Sequence, residues 1–186
     1  MKKLFALMLA LCLLCSVAMA EDTLSWENVA ETAAQIEGEF HTFKEIAVKI
    51  WIPAVLEECE LSDEDKEEGY IGYFQTADET AAIGIQYVDM SGTGLEAYAE
   101  LLKENGIDES SIEAGTVNGI ECLSYANEDN GVLAFATQKG YILEVAAGPM
   151  TDEGFQSVAS IIFSSIHPDE QIHHLLLLSA VITLLI

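Results

Sequence analysis

The sequence predicts an α+β fold, a mainly antiparallel β-sheet of about six to seven strands sandwiched between helices. Three observations carry this. Alternating apolar runs recur between residues 46 and 147, and tight-turn signals such as Asn118-Gly119 join most neighbouring runs. Amphipathic stretches interrupt them in the order helix, strands, helix, strands, helix, so helices must pack on a sheet whose strands are mostly antiparallel.

The chain has 186 residues and opens with Lys2-Lys3, an apolar run over 4–14, and Ala18-Met19-Ala20 before Glu21. This is the layout of a secretory signal peptide over 1–20, with cleavage between Ala20 and Glu21. The apolar run is too short to span a bilayer. Export is therefore expected. The 166 residues left are enough for one domain with a core of its own, placed over 21–167.

Within that domain, Ser25 stands as an N-cap ahead of Trp26, Val29, Ala30, Ala33 and Ile36 at helical spacing, with Gly38 as a stop; a helix is predicted over 26–37. Phe40 to Phe43 and Ile46 to Ile52 then alternate as a strand closed by Pro53, which lacks a ladder donor. Ser62 and Asp65 form a capping box for a short acidic turn ending at Gly69. Strands follow over 70–76 and 81–88, joined at Asp78-Glu79. Thr93 and Glu96 form a second capping box, for a helix with the stripe Leu95, Tyr98, Ala99 and Leu102 and a C-terminal Gly106. Asn118-Gly119 is the strongest hairpin signal, between strands over 112–117 and 120–126. Asn130-Gly131 and Lys139-Gly140 punctuate strands over 132–137 and 141–147, the second ended by Gly148-Pro149. Thr151 is expected to cap the last helix, striped by Phe155, Val158, Ala159 and Ile162.

Residues 168–186 end in a run of twelve uncharged, mostly apolar residues from Leu175 to Ile186. A spanning helix needs about 20. The run is expected to be a loosely packed extension outside the domain, with membrane attachment as the minor alternative. Ser164-Ser165 superficially fits a lipid-anchor signal, yet the two serines also finish the last amphipathic helix.

Charge excludes one class of partner. Without Lys2 and Lys3 the mature chain keeps five lysines and no arginine against 32 acids, a formal charge of −27. Such a surface repels phosphate backbones, so no nucleic acid is expected as partner. It also keeps an exported protein dispersed, and a monomer is expected.

Cysteine use is equally spare. Cys12 and Cys15 leave with the signal peptide; neither follows a small residue, as a lipoprotein cysteine would. Cys59 and Cys122 remain, an even pair that an oxidising compartment would allow to form a disulfide. Two separate thiols, each acting as a small hydrophobe, are the heavier alternative.

Motifs of chemistry fail on inspection. Asp63, Asp65 and Glu67 have the first spacings of an EF-hand loop, but Glu68 replaces its glycine and Phe74 its bidentate glutamate. A solvated capped turn explains the segment better than a weak calcium site. His41, His167, His173 and His174 include no pair at zinc-protease spacing, and the mature chain has no Cys-x-x-Cys. No serine stands on a glycine-flanked elbow. Ser91-Gly92-Thr93-Gly94 lacks the spacing and lysine of a P-loop. No catalytic residue, cofactor or metal ligand is expected.

The order of elements resembles the PsbP-like fold, named for an extrinsic protein of the photosynthetic oxygen-evolving complex. The resemblance rests on Ile50-Trp51-Ile52-Pro53, the capped helix at 95–105, Val117-Asn118-Gly119-Ile120, Tyr141-Ile142-Leu143-Glu144-Val145, and the closing helix running into Ser164-Ser165-Ile166. It covers residues 40–166. It implies an antiparallel sheet between helices in a non-enzymatic accessory or binding protein outside the cytoplasm, of the kind found in uncharacterised secreted bacterial members. No functional residue of the photosynthetic member can be carried over. The expected role is a secreted, non-catalytic binding or accessory domain of the cell envelope, acting on an envelope or extracellular protein or ligand. A small extracellular hydrolase with a site invisible in sequence, and a weak calcium-binding surface module, are the alternatives.

Overall fold

Main-chain pairing organises the chain into two sheets. The computed structural model describes residues 23–44, 48–90, 94–136 and 141–168. The Ala20–Glu21 junction, Ile46, Ser91 to Thr93, Lys139-Gly140 and the apolar tail lie outside the described residues. The large sheet holds, in spatial order, β1 (Thr23–Leu24), β7 (Glu113–Val117), β8 (Ile120–Asn127), β9 (Asn130–Ala136), β10 (Tyr141–Gly148), β6 (Ala82–Asp89), β5 (Tyr70–Thr76) and β4 (Leu56–Glu58). β1 joins β7 in parallel, and every other pairing is antiparallel. A small sheet sets β3 (Val48–Pro53) between β2 (Gly38–Phe43) and β11 (His167–Pro168). Four α-helices complete the described chain: α1 (Trp26–Ala33), α2 (Asp63–Glu67), α3 (Leu95–Glu104) and α4 (Glu153–Ser164).

The α+β class expected from the alternating runs is therefore the class observed. Strand alternation divides the core in two. Ile83 and Ile85 on β6, Leu143, Val145 and Ala147 on β10, and Leu133 and Phe135 on β9 point to one face, where α1, α4 and the small sheet cover them. Ile142 on β10, Ala134 and Val132 on β9, and Leu123 and Tyr125 on β8 point to the other, against Tyr98 and Leu102 of α3. Ile50, Ile83, Ile85 and Ile142 have no exposed surface, and each such side chain contributes about 2–3 kcal/mol over leaving it in water.

Several boundaries differ from the sequence reading, each for a local reason. The run Phe40–Ile52 is a hairpin rather than one strand, with Phe43 facing Val48. Residues 44–47 contain no Gly, Asn or Pro, so the alternation runs through the turn without a mark. The helix predicted over 26–37 stops at Ala33. α3 starts at Leu95, and its N-cap is Gly94, which has no side chain to cap with, instead of Thr93. α4 is capped by Asp152 in place of Thr151; its carboxylate accepts from the Phe155 amide at 2.7 Å. The β8–β9 turn is Glu128-Asp129, two residues before the expected Asn130-Gly131, with Glu128 at φ 54°.

Other signals hold. Asn118 and Gly119 have φ of 47° and 81°, the pair of positive angles a type I′ hairpin needs. Ser62 and Asp65 cap α2 reciprocally.

Candidate functional site

α3 lies over β8 and β9 on its face of the large sheet. Beyond it, the same face continues across β10, β6 and β5. Register places Glu144 opposite Gln86, which in turn faces Tyr70. The next row is Ala146, Gly84 and Tyr73. All six residues are half-buried. A Cβ added at Gly84 would lie 3.3 Å from the Tyr70 ring and 3.8 Å from that of Tyr73, so both rings pack over this glycine. The result is a half-buried face on which Tyr70 and Tyr73 cover Gly84, with Tyr98 and Tyr125 beside Glu144.

Glu144 is the chemical centre of this face. Its Oε1 accepts hydrogen bonds from the hydroxyls of both Tyr98 and Tyr125, whose oxygens lie 3.3 Å apart. Burial, reinforced by donation to the carboxylate, pushes the Tyr98 hydroxyl far above the ordinary phenol range. Burial and the Glu144 charge do the same to Tyr125. Tyr70 is raised too, by burial first and then by the negative charges of Glu68 and Glu144. Tyr98 and Tyr125 are therefore protonated donors to Glu144 at neutral pH. The Gln86 amide donates to the Glu68 carbonyl at 2.7 Å, which ties β6 to the start of β5.

A carboxylate orientated by two phenols can accept hydrogen bonds and attract cations. Among the described residues no group of three or more His, Cys, Asp and Glu is arranged to hold a metal ion. A depression of about 490 Å³ lies where β8 and β9 turn, lined by Leu24, Ser124, Gly131, Leu133, Met150 and Phe163 among others.

The residues singled out in the sequence are not brought together. Cys59 follows β4 at one end of the large sheet and Cys122 sits in β8, with β9, β10, β6 and β5 between them. Strand spacing of about 4.8 Å makes that separation roughly 24 Å, far beyond disulfide reach, and both thiols are free. Burial pushes the Cys122 thiol up to about 11. Asp63, Asp65 and Glu67 are spent on α2, where Asp65 accepts from the Ser62 amide and hydroxyl. His41 packs edge-on to Phe74 at 4.9 Å, and His167 edge-on to Phe40 at 5.2 Å. Sequence reading missed Glu144. The only signal was a lone charge in the otherwise apolar run Tyr141–Ala147, which the alternation allowed as an outward residue.

No helix among the described residues is long and apolar enough to cross a membrane. No family model matches the sequence, and no curated protein matches it. Among solved structures, the chain is similar to the solution structure of cyanobacterial PsbP (CyanoP) from Synechocystis. The two share 12% identity with a TM-score of 0.49, over 72% of this chain and 93% of that one. The match assigns no role to any residue here.

Proposed function

We propose that this chain is an exported, non-catalytic binding domain of the cell envelope. The observation that carries the reading is the half-covered sheet face: α3 shields β8 and β9, while Tyr70, Tyr73, Gln86 and Glu144 stay accessible on the strands beside them. Tyrosine offers a large contact area at small entropic cost, and its hydroxyl keeps the surface soluble when unoccupied. The basic, then apolar, then small-residue order of residues 1–20 supports export.

Two measurements test this. N-terminal sequencing of the protein recovered outside the cytoplasm is expected to begin at Glu21; an intact Met1 confined to the cytoplasm contradicts export. Fluorescently labelled mature chain is expected to bind washed cells of its source saturably and to be competed by unlabelled chain. Binding that never saturates contradicts a specific partner.

A further inference from the structure

We propose that the depression where β8 and β9 turn is a second docking surface, which takes an extended basic segment of a partner protein: an apolar side chain at i+2 between two lysines or arginines at i and i+4. The inference goes beyond the binding face proposed above, because the depression opens on the other side of the sheet. Ser124 and Ala126 on β8 pair with Leu133 and Gly131 on β9, and Leu133 belongs to the core beneath α1, α4 and the small sheet. On that side α4 packs on β10 and β3. The space measures about 490 Å³, within the range of roughly 300–1,000 Å³ in which pockets hold ligands. Ser124 and Ala126 present short side chains to it from β8, while Leu24 of β1 and Phe163 of α4 line it from the layer above. Met150 bounds the end at the turn. Its amide donates to the Asp129 carbonyl at 2.6 Å, and its side chain packs on Gly131, where an added Cβ would meet it at 3.3 Å. An aliphatic side chain entering a space with these walls leaves water for apolar surroundings, which is favourable.

Charge selects what flanks that side chain. Glu113, Glu128 and Asp129 line the same space, and all three are exposed. Glu113 pairs with Ser124 at one end, and Glu128 stands in the β8–β9 turn four residues further along. At about 3.4 Å per residue, the two ends are roughly 13 Å apart, the span from i to i+4 of an extended peptide. Residues i, i+2 and i+4 of such a peptide share one face. Two cations therefore reach the two acidic ends while the side chain between them enters the space. The formal charge of −27 on the mature chain disfavours a second copy or an anionic ligand here and steers a basic segment in.

The test is a titration of the ¹⁵N-labelled mature chain with short peptides, followed by NMR. The first peptide is Lys-Ser-Leu-Ser-Lys with glycine at both ends. A second has serine for leucine, a third glutamate for both lysines, and a fourth the same composition with the two lysines adjacent. Expected are saturable shifts at residues 113, 124, 126, 131, 133 and 150 with the first peptide. Serine for leucine is expected to weaken binding about tenfold, the loss of one buried aliphatic side chain. Adjacent lysines are expected to weaken it several-fold, and glutamate to abolish it. Glu113→Gln combined with Glu128→Gln, at two exposed positions, is expected to cost about fivefold. Ser124→Leu fills the space and is expected to abolish binding, while the exposed pair of variants keeps the test decisive should Ser124→Leu fold poorly. Equal binding of the leucine and serine peptides would mean attraction by charge alone and overturns the proposal. Equal binding of the adjacent-lysine peptide, shifts confined to other residues, or no shifts with any peptide overturn it as well. Failure here leaves the face beside α3 untouched, since cross-linking from Tyr73 tests that face separately.

Discussion

Asn118 does more than turn a hairpin. Its Oδ1 accepts from the Trp26 amide at 2.9 Å, and its Nδ2 donates to the carbonyls of Ser164 and Ile166, each at 2.8 Å. One side chain thus satisfies the first amide of α1 and two carbonyls at the end of α4, groups that helix termini leave without partners. Asn118→Gly preserves the positive φ and removes only these bonds. It is expected to destabilise by about 3 kcal/mol at roughly 1 kcal/mol per bond, read as a lower urea midpoint. A midpoint within experimental error of the parent contradicts the clasp. Tyr98 and Tyr125 carry a second residue-scale prediction. Their folded pKa values lie above the unfolded value of 10.0, so the stability they contribute is intact below pH 10. It is lost as pH rises above 10, because the unfolded chain releases those protons first. Absorbance at 295 nm is expected to show two of the six tyrosines ionising only as the fold is lost. Six phenols titrating near pH 10 in folded protein would refute this.

Among the elements, caps separate what looks alike in sequence. Ser25 and Asp152 both precede helices, yet Ser25 makes no side-chain cap while Asp152 accepts from Phe155. Asp152→Ala is expected to cost about 1 kcal/mol and Ser25→Ala only a few tenths, compared by thermal melts. Equal losses would mean that the Trp26–Asn118 bond does not replace the local cap. The same contrast shows why boundaries were only partly legible. A cap residue is visible in sequence, but its remote replacement is not, since Trp26 and Asn118 lie 92 residues apart. Asn118-Gly119 was legible because the turn's chemistry is local. The β2–β3 turn was not, because it uses residues without turn preference. Edge pieces such as β1 and β11, two residues each, exist only through the strands they join.

At the scale of the whole molecule, the charge has a direct consequence. With five lysines against 32 acids, the mature chain repels itself, and salt screens that repulsion over about 10 Å at 0.1 M. The melting temperature is expected to rise by several degrees from 10 mM to 500 mM sodium chloride; a fall would show that specific ion pairs outweigh the net charge. Fold class was legible because alternation and amphipathic stripes act along the whole chain. The candidate site was not, because Tyr70, Gly84, Tyr125 and Glu144 come from four strands whose order β8-β9-β10-β6-β5 appears only once they pair. Glu144 on its own reads as one of 32 acids. The proposed binding surface is the half-buried sheet face beside α3. A photo-crosslinking amino acid placed at Tyr73, with one at the exposed Glu31 of α1 as control, tests this when the chain is expressed in its source and irradiated in place. A discrete covalent adduct from position 73 and none from position 31 is the result expected. Adducts from position 31 alone, or from neither position, would contradict binding at this face.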